Sequence, residues 1–380
     1  MPTYCVEATR WSPDLFSRFC RRGFIWDVEN APAGDSVEFL AEVARRIGRH
    51  CILIPGTDGA ATFIADHAPV LSQWYIFPDQ NPQLVRSMCS KKEMHRLAGQ
   101  LHVPTPRTIF PDTAADLWRC IVSSELPVII KGIGGRLKQH TRRTKVVIWT
   151  RKEFHDLFDQ VDGSSVPNLV VQEYIPGDDD AVWMFNGYFN ERHECLMGFT
   201  GRKLRQCPAY TGVTSLGICR DNPAVSDIAR RFLTEVGYRG IVDMDFRWDA
   251  RDSQYKLLDV NPRLGSTFRL FVSEDGLDVT RACYLDLTGQ RTFPARAADG
   301  RKWIVEDFDV VAAIRHFRDG NLKLRKWLKS LSGIRESAFL ALDDLLPLLP
   351  MLRADLVEFL RRVRPCRIPG LLPDEEGVRL

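Results

Sequence analysis

IVDMDFRW (241–248) and YKLLDVNPR (255–263), separated by the polar DARDSQ (249–254), read as the two strands of one hairpin. Side chains alternate faces along a strand. Val242, Met244, Phe246 and Trp248 therefore share an apolar face, and Asp243 and Asp245 share the opposite one. On the second strand Leu258 and Val260 are expected to turn to the core, and Asp259 and Asn261 to join the acids. Carboxylates gathered on one face repel, so something must compensate them. An all-oxygen set of this kind suits Mg²⁺, with Mn²⁺ as an alternative, because a hard ion takes one or two carboxylates and completes its shell with phosphate oxygens. The solvated outer face of a surface hairpin would carry the same letters, so the neighbouring segments have to decide.

Upstream, PVIIK (127–131) is an apolar strand ending in Lys131, just before Gly132, Gly134 and Gly135. A lysine at a strand end beside a glycine loop can reach phosphate as a point charge. Neither the Walker A pattern nor GxGxxG is present, so the P-loop and dinucleotide fingerprints are excluded. The basic loop carrying Arg136, Lys138, Arg142 and Arg143 follows, then the strands KVVIW (145–149) and NLVVQEY (168–174). Ser90 and Glu93 make a capping box for a helix with Met94, Leu97, Ala98 and Leu101 on one face, which stops before VPTP (103–106). From 181 the pattern turns antiparallel. AVWMF and YFN, joined by Asn186-Gly187, predict a hairpin, and GFTGRKLRQ (198–206) a long strand bearing Lys203 and Arg205. Asn222 and Pro223 open a helix. The first 71 residues show the helix–strand–helix rhythm of a parallel sheet, with CILIP (51–55) as a buried strand. The last 80–90 residues have helical spacing.

The 380 residues are 44% hydrophobic and 27% charged, with a net charge of +3. That excludes a mainly disordered chain and gives no electrostatic reason to expect nucleic acid. Ten cysteines without a CxxC pair and eight histidines without HExxH argue against zinc and thioredoxin-like chemistry. No secretory leader and no long apolar window is visible, which predicts a reduced, cytoplasmic protein without a membrane span.

In order along the chain, SKKEMHRLAGQLHVPTP, LPVIIKGIGG, VVQEYIPGDDD, FTGRKLRQ, GYRGIVDMDF and LLDVNPR resemble the ATP-grasp superfamily over about residues 89–290, closest to its carboxylate–amine ligase branch. The resemblance implies an α/β (α+β) ATP-grasp fold. It implies two phosphate-binding lysines at Lys91 (Lys92 the alternative) and Lys131, and an adenine hinge at Glu173, Tyr174 and Ile175. It further implies a ribose-binding acid at Asp180, metal ligands at Asp245, Asp259 and Asn261, and Arg263 beside the metal face as a binder of phosphate or acyl phosphate. Lys203 and Arg205 lie on a strand that approaches the active site in similar proteins. Asp259 stands where the family often has glutamate.

The implied activity is an ATP- and Mg²⁺-dependent joining of a small carboxylic acid to an amine or amino acid through an acyl phosphate. The alternative is a nucleotide-binding regulatory protein that keeps the fold without ligation. The expected division is a truncated N-terminal α/β domain over 1–88, an ATP-grasp domain over 89–290 with a small lid subdomain at 104–171, and a helical extension over 291–380. Similar ligases begin with a further strand–helix unit before the segment that opens this sequence.

Overall fold

The computed structural model describes residues 2–132, 145–159, 166, 168–293 and 296–363. Gly134, Gly135, Arg136, Lys138, Arg142 and Arg143 fall outside the described residues. The chain divides into two compact units, one made of residues 1–25 with 339–380 and the other of residues 26–338.

In the smaller unit β1 (Thr3–Glu7) pairs in parallel with β2 (Cys20–Ile25). The Asp344 carboxylate accepts the Ser17 hydroxyl at 2.5 Å and the Arg18 amide at 3.0 Å. The Arg353 guanidinium sits 4.1 Å above the Trp11 ring. The C-terminal helix Leu348–Val363 therefore packs on the 3-10 turn Pro13–Phe16 that joins the two N-terminal strands. No helix among the described residues is long and apolar enough to cross a membrane.

In the larger unit β3 (Cys51–Ile52) and β4 (Tyr75–Ile76) form a second two-stranded parallel pair. The parallel sheet expected at the N-terminus is thus two separate short pairs. The helix expected over 58–71 breaks at His67 into Asp58–Asp66 and Ala68–Leu71, with Pro69 opening the second piece.

β5 (Thr108–Ile109), β6 (Val128–Gly132), β7 (Lys145–Ile148) and β8 (Leu169–Glu173) make an antiparallel sheet in the order β5-β8-β6-β7. Helices Ala114–Ser123 and Arg151–Phe158, each started by a threonine capping box, cover it through Leu117, Ile121 and Phe154.

β9 (Val182–Phe189), β10 (Cys195–Cys207), β11 (Val213–Cys219), β12 (Gly240–Asp249), β13 (Gln254–Asn261), β14 (Lys302–Ile304) and β15 (Ile334–Ser337) form the main sheet, in the order β13-β12-β9-β10-β11-β14-β15. Its core face packs Phe185, Phe189, Met244, Phe246 and Val260 against Phe232 and Leu233 of helix Pro223–Glu235 and Met94 and Ala98 of helix Lys91–Gln100. Asn222 caps the former helix through the Val225 amide at 3.2 Å. The segment beyond 291 is helical over Glu306–Arg318 and Leu324–Leu331 but also supplies β14 and β15 to the sheet.

Two strand expectations are corrected. Asn186-Gly187 is no turn: β9 runs through it unbroken, paired on both sides. A Cβ at 187 would lie 2.6 Å from the Phe185 ring, so aromatic packing and not chain reversal requires the glycine. Second, the β12–β13 ladder shifts register after the Asp245–Asp259 pair, so that Phe246 faces Leu257. The extra residue is a β-bulge. Leu257 takes the core position, and Leu258 turns to the side of Asp259.

Candidate active site

The alternation of β12 and β13 places Asp245 directly opposite Asp259, and Asp243 opposite Asn261. Asp245 and Asp259 each have a counter-charge from another element. Lys203 of β10, 5% exposed at its side chain, reaches across β9 to Asp245 at 2.8 Å. Lys91, the first residue of its helix once Ser90 has capped it, pairs with Asp259. Burial would raise the Asp259 carboxyl, but Lys91 and then Lys131 and Lys145 outweigh it and hold the group below its ordinary range. Asp243 takes the Asn186 amide at 2.7 Å and the Asn261 amide, and burial together with the Asp245 charge pushes its carboxyl up.

The small sheet contributes the opposite charge. Lys131 and Lys145 are register partners on β6 and β7, and two like charges directly opposite repel. Burial, then Lys145 and Lys91, pull the Lys131 ammonium down to about 7. Its Nζ donates to Gln172 Oε1 at 2.6 Å. Gln172 Nε2 in turn donates to Thr108 Oγ1 at 2.9 Å and lies 3.1 Å from His95 Nε2. Burial and the neighbouring lysines lower His95 to about 4, so at neutral pH its ring is uncharged and can accept that bond. This chain fixes the amide so that its oxygen faces Lys131.

At the end of β8 the chain crosses as Glu173-Tyr174-Ile175. The Glu173 carboxylate accepts the Arg107 amide at 3.0 Å and pairs with Arg251; burial alone would raise it, but these contacts lower it. Arg247 of β12, 5% exposed, holds the next residues by donating to the carbonyls of Ile175 at 2.8 Å and Gly177 at 2.5 Å.

These pieces enclose a cleft of about 630 Å³, open solvent at its mouth included. Lys131, Lys145, Lys203, Asp245 and Asp259 line it, with Glu173, Tyr174 and Ile175 along one edge and Gln206, Tyr210, Thr211 and Gly212 also at its wall. A second cavity of about 510 Å³, bordered by Leu53, Ile64, Phe77 and Ile241, has no charged side chain in its lining.

Of the residues singled out in the sequence, Lys131, Glu173, Tyr174, Ile175, Asp245 and Asp259 meet in the cleft, and Lys91 joins through Asp259. Asn261 stands behind them, its amide donating to the Asp243 carbonyl at 3.3 Å. Asp180 is not among the lining residues; its carboxylate lies 3.5 Å from Arg202. Arg263 pairs with Asp58 at 2.9 Å. Lys145, Gln172, His95 and Tyr210 were not singled out. Lys145 looks like an ordinary strand start in the sequence, and only its pairing with Lys131 could have marked it.

Among the described residues no group of three or more His, Cys, Asp or Glu side chains gathers to hold a metal. The donors present, two opposed carboxylates beside an open cationic cleft, fit a hard divalent ion that completes its shell with phosphate and water oxygens.

No protein-family model matches the chain. The chain is 24% identical over 275 residues to a D-aspartate ligase of Enterococcus faecium (strain Aus0004), covering 68% of this chain and 65% of that protein, just under two-thirds of its length. Its fold is similar to that of an N5-carboxyaminoimidazole ribonucleotide synthetase solved with ADP: TM-score 0.59, 11% identity, 78% of this chain and 72% of that one. An L-amino acid ligase from Bacillus licheniformis matches at TM-score 0.55 with 13% identity, over 76% of this chain and 75% of that one. The chain has the ATP-grasp fold. In ATP-grasp terms, the small four-stranded sheet and the main sheet are the two halves between which the charged cleft opens.

Proposed function

We propose that the protein is an ATP- and Mg²⁺-dependent carboxylate–amine ligase. The observation that carries this reading is the single cleft in which Lys131, Lys145 and Lys203 face Asp245 and Asp259 beside the Glu173–Ile175 crossing. The likeness to D-aspartate and L-amino acid ligases supports it. The Glu173 carboxylate and the backbone at Ile175 would meet the adenine edge, and Asp180, which faces Arg202 in the free chain, would have to turn from it to reach the ribose. Lys91, Lys131, Lys145 and Lys203 would bind the polyphosphate. Asp245, Asp259 and Asn261 would hold Mg²⁺, which when bound supplies charge neutralisation to the phosphates.

In the free chain Lys91 and Lys203 each neutralise one carboxylate. A metal–polyphosphate pair carries the same two kinds of charge, so these partners can exchange without leaving a buried charge alone. The substrate carboxylate oxygen attacks the γ-phosphorus, the bond to the ADP oxygen breaks, and an acyl phosphate forms. The amine then attacks the acyl carbon, phosphate leaves, and the amine gives up a proton. Arg263, one residue past Pro262 on the same chain as the metal face, would steady the acyl phosphate. The protein's share of such a transfer is positioning and charge stabilisation.

The test is ADP release across a panel of small carboxylic acids and amino acids. The expected result is ADP only when both an acid and an amine are supplied. ADP with the acid alone would indicate a phosphotransferase, and ATP binding without turnover would favour the regulatory alternative.

A further inference from the structure

We propose that His316, in the helix Glu306–Arg318, is a positioning residue for the cleft, acting through Asp179 on both of its walls. This rests on the reading of the cleft as an ATP site.

Asp179 lies four residues beyond Ile175 and is 4% exposed. Its carboxylate takes four donors: the Gln206 side chain at 3.0 Å, the Gln206 amide at 3.2 Å, the Tyr210 amide at 3.0 Å, and His316 Nε2 at 2.9 Å. Gln206 and Tyr210 line the cleft, as do Tyr174 and Ile175. One buried carboxylate thus ties the segment after Ile175 to the end of β10 and the loop at 208–212, and His316 is its only partner from outside the two walls among the described residues.

The loop needs holding. Tyr210 has φ +71°, a left-handed conformation that a bulky residue adopts only when its surroundings impose it. Three groups from one stretch impose it. The His316 ring meets the Tyr210 ring edge-on at 4.7 Å between centroids. The Tyr210 hydroxyl donates to Asp319 at 2.9 Å and accepts from Asn321 at 2.8 Å. The loop's other end is closed tightly: a Cβ at Gly212 would overlap the Cys207 carbonyl carbon at 2.0 Å. The wall-facing Thr211 carbonyl accepts Lys145 Nζ at 2.8 Å, which links the loop to the cationic side of the cleft.

The helix that carries His316 is itself fixed. Asp309 takes Arg205 Nε at 2.8 Å and Nη2 at 2.9 Å, and Trp327 Nε1 at 2.9 Å. The segment beyond residue 300 is therefore part of the binding apparatus and not only a cover.

The test uses the full-length chain. Titration calorimetry with ATP and Mg²⁺ should give about tenfold weaker binding for His316→Ala, the scale set by leaving a buried charged group one partner short. His316→Gln, which presents an amide donor near the position of Nε2, should restore affinity to within about threefold of wild type. Where turnover is measured, the change should fall on KM for ATP with kcat little altered. Hydrogen exchange without nucleotide should show faster exchange at 174–180 and 206–212 in His316→Ala. Folded His316→Ala that binds ATP as wild type does overturns the proposal. If that variant does not fold, Asp179→Asn decides, because an amide in its place cannot accept all four donors: about threefold weaker binding supports the proposal, and unchanged binding overturns it. Wild-type protein that fails to bind ATP overturns the proposed function, and the exchange measurement then still upholds or refutes the link itself.

Discussion

Asp259 is the residue on which the two halves of the site depend, since it faces Asp245 across the hairpin and pairs with Lys91 from the capped helix. Asp259→Ala should lower turnover by on the order of 10²–10³, the scale for losing one preorganised charge-stabilising group, while circular dichroism shows an intact fold. Unchanged turnover would count against the proposed role of Asp259 in holding a metal. Lys131 makes a pH-dependent prediction. Its folded pKa of about 7 lies below the unfolded value, so between pH 7 and about 10 the free folded chain binds fewer protons than the unfolded chain. The cost of burying this charge is full below pH 7 and fades as pH rises through that window. A bound polyphosphate favours the ammonium and reverses this. ATP binding at pH 8 should therefore take up close to one proton and weaken as pH rises, measured by calorimetry in two buffers of different ionisation enthalpy. Lys131→Arg, always charged, should bind without that uptake. The two aspartates were legible because strand alternation needs no tertiary information. Lys145 and His95 were not, because nothing local marks a lysine that will face another across a ladder, or a histidine that will orient a glutamine.

At the scale of elements, the bulge after Asp245 and the unbroken β9 decide what faces the cleft. The bulge admits Leu257 to the core and leaves Leu258 beside Asp259. β9 sets Asn186 against Asp243 where the sequence suggested a turn. Both errors come from treating local alternation and turn chemistry as sufficient when pairing on both sides and ring packing override them. The segment proposed to meet adenine depends on a further element, since Arg247 of β12 donates to the carbonyls of Ile175 and Gly177. Arg247→Met should leave both without that donor, at a cost of about 1–3 kcal/mol in urea denaturation. ATP affinity should fall in the same variant. A drop in stability without a change in affinity would separate the arginine from the hinge.

Across the whole molecule, residues 2–25 and 339–363 form a unit of their own, with Asp344 and Arg353 holding Trp11, Ser17 and Arg18. The cleft lies wholly within residues 26–338. A chain ending at Ala338 keeps β15 and the Glu336 contacts to Arg269 and Arg301 but loses the Asp344 and Arg353 contacts to Trp11, Ser17 and Arg18. Trypsin should then cut among Arg10, Arg18, Arg21 and Arg22 at least about tenfold faster, since opening of that segment no longer breaks packed contacts. ATP affinity should stay within about twofold of the full chain, on the ground that the cleft loses no lining residue. Equal protease resistance would show that the N-terminal strands do not depend on the C-terminal helix.

The sequence by itself determined the apolar face of β12, where the helices at Lys91 and Pro223 begin, and which acids share a strand face, because those follow from periods of two and 3.6 and from capping chemistry within a few residues. The ordered set of short segments was enough to point to the ATP-grasp fold. Only the tertiary structure decided that Lys203 neutralises Asp245, that Lys131 and Lys145 are driven together, and that His316 reaches Asp179 from 137 residues away. Those contacts join elements remote in the chain, and their energies come from burial and charge proximity that exist only once the sheets have packed.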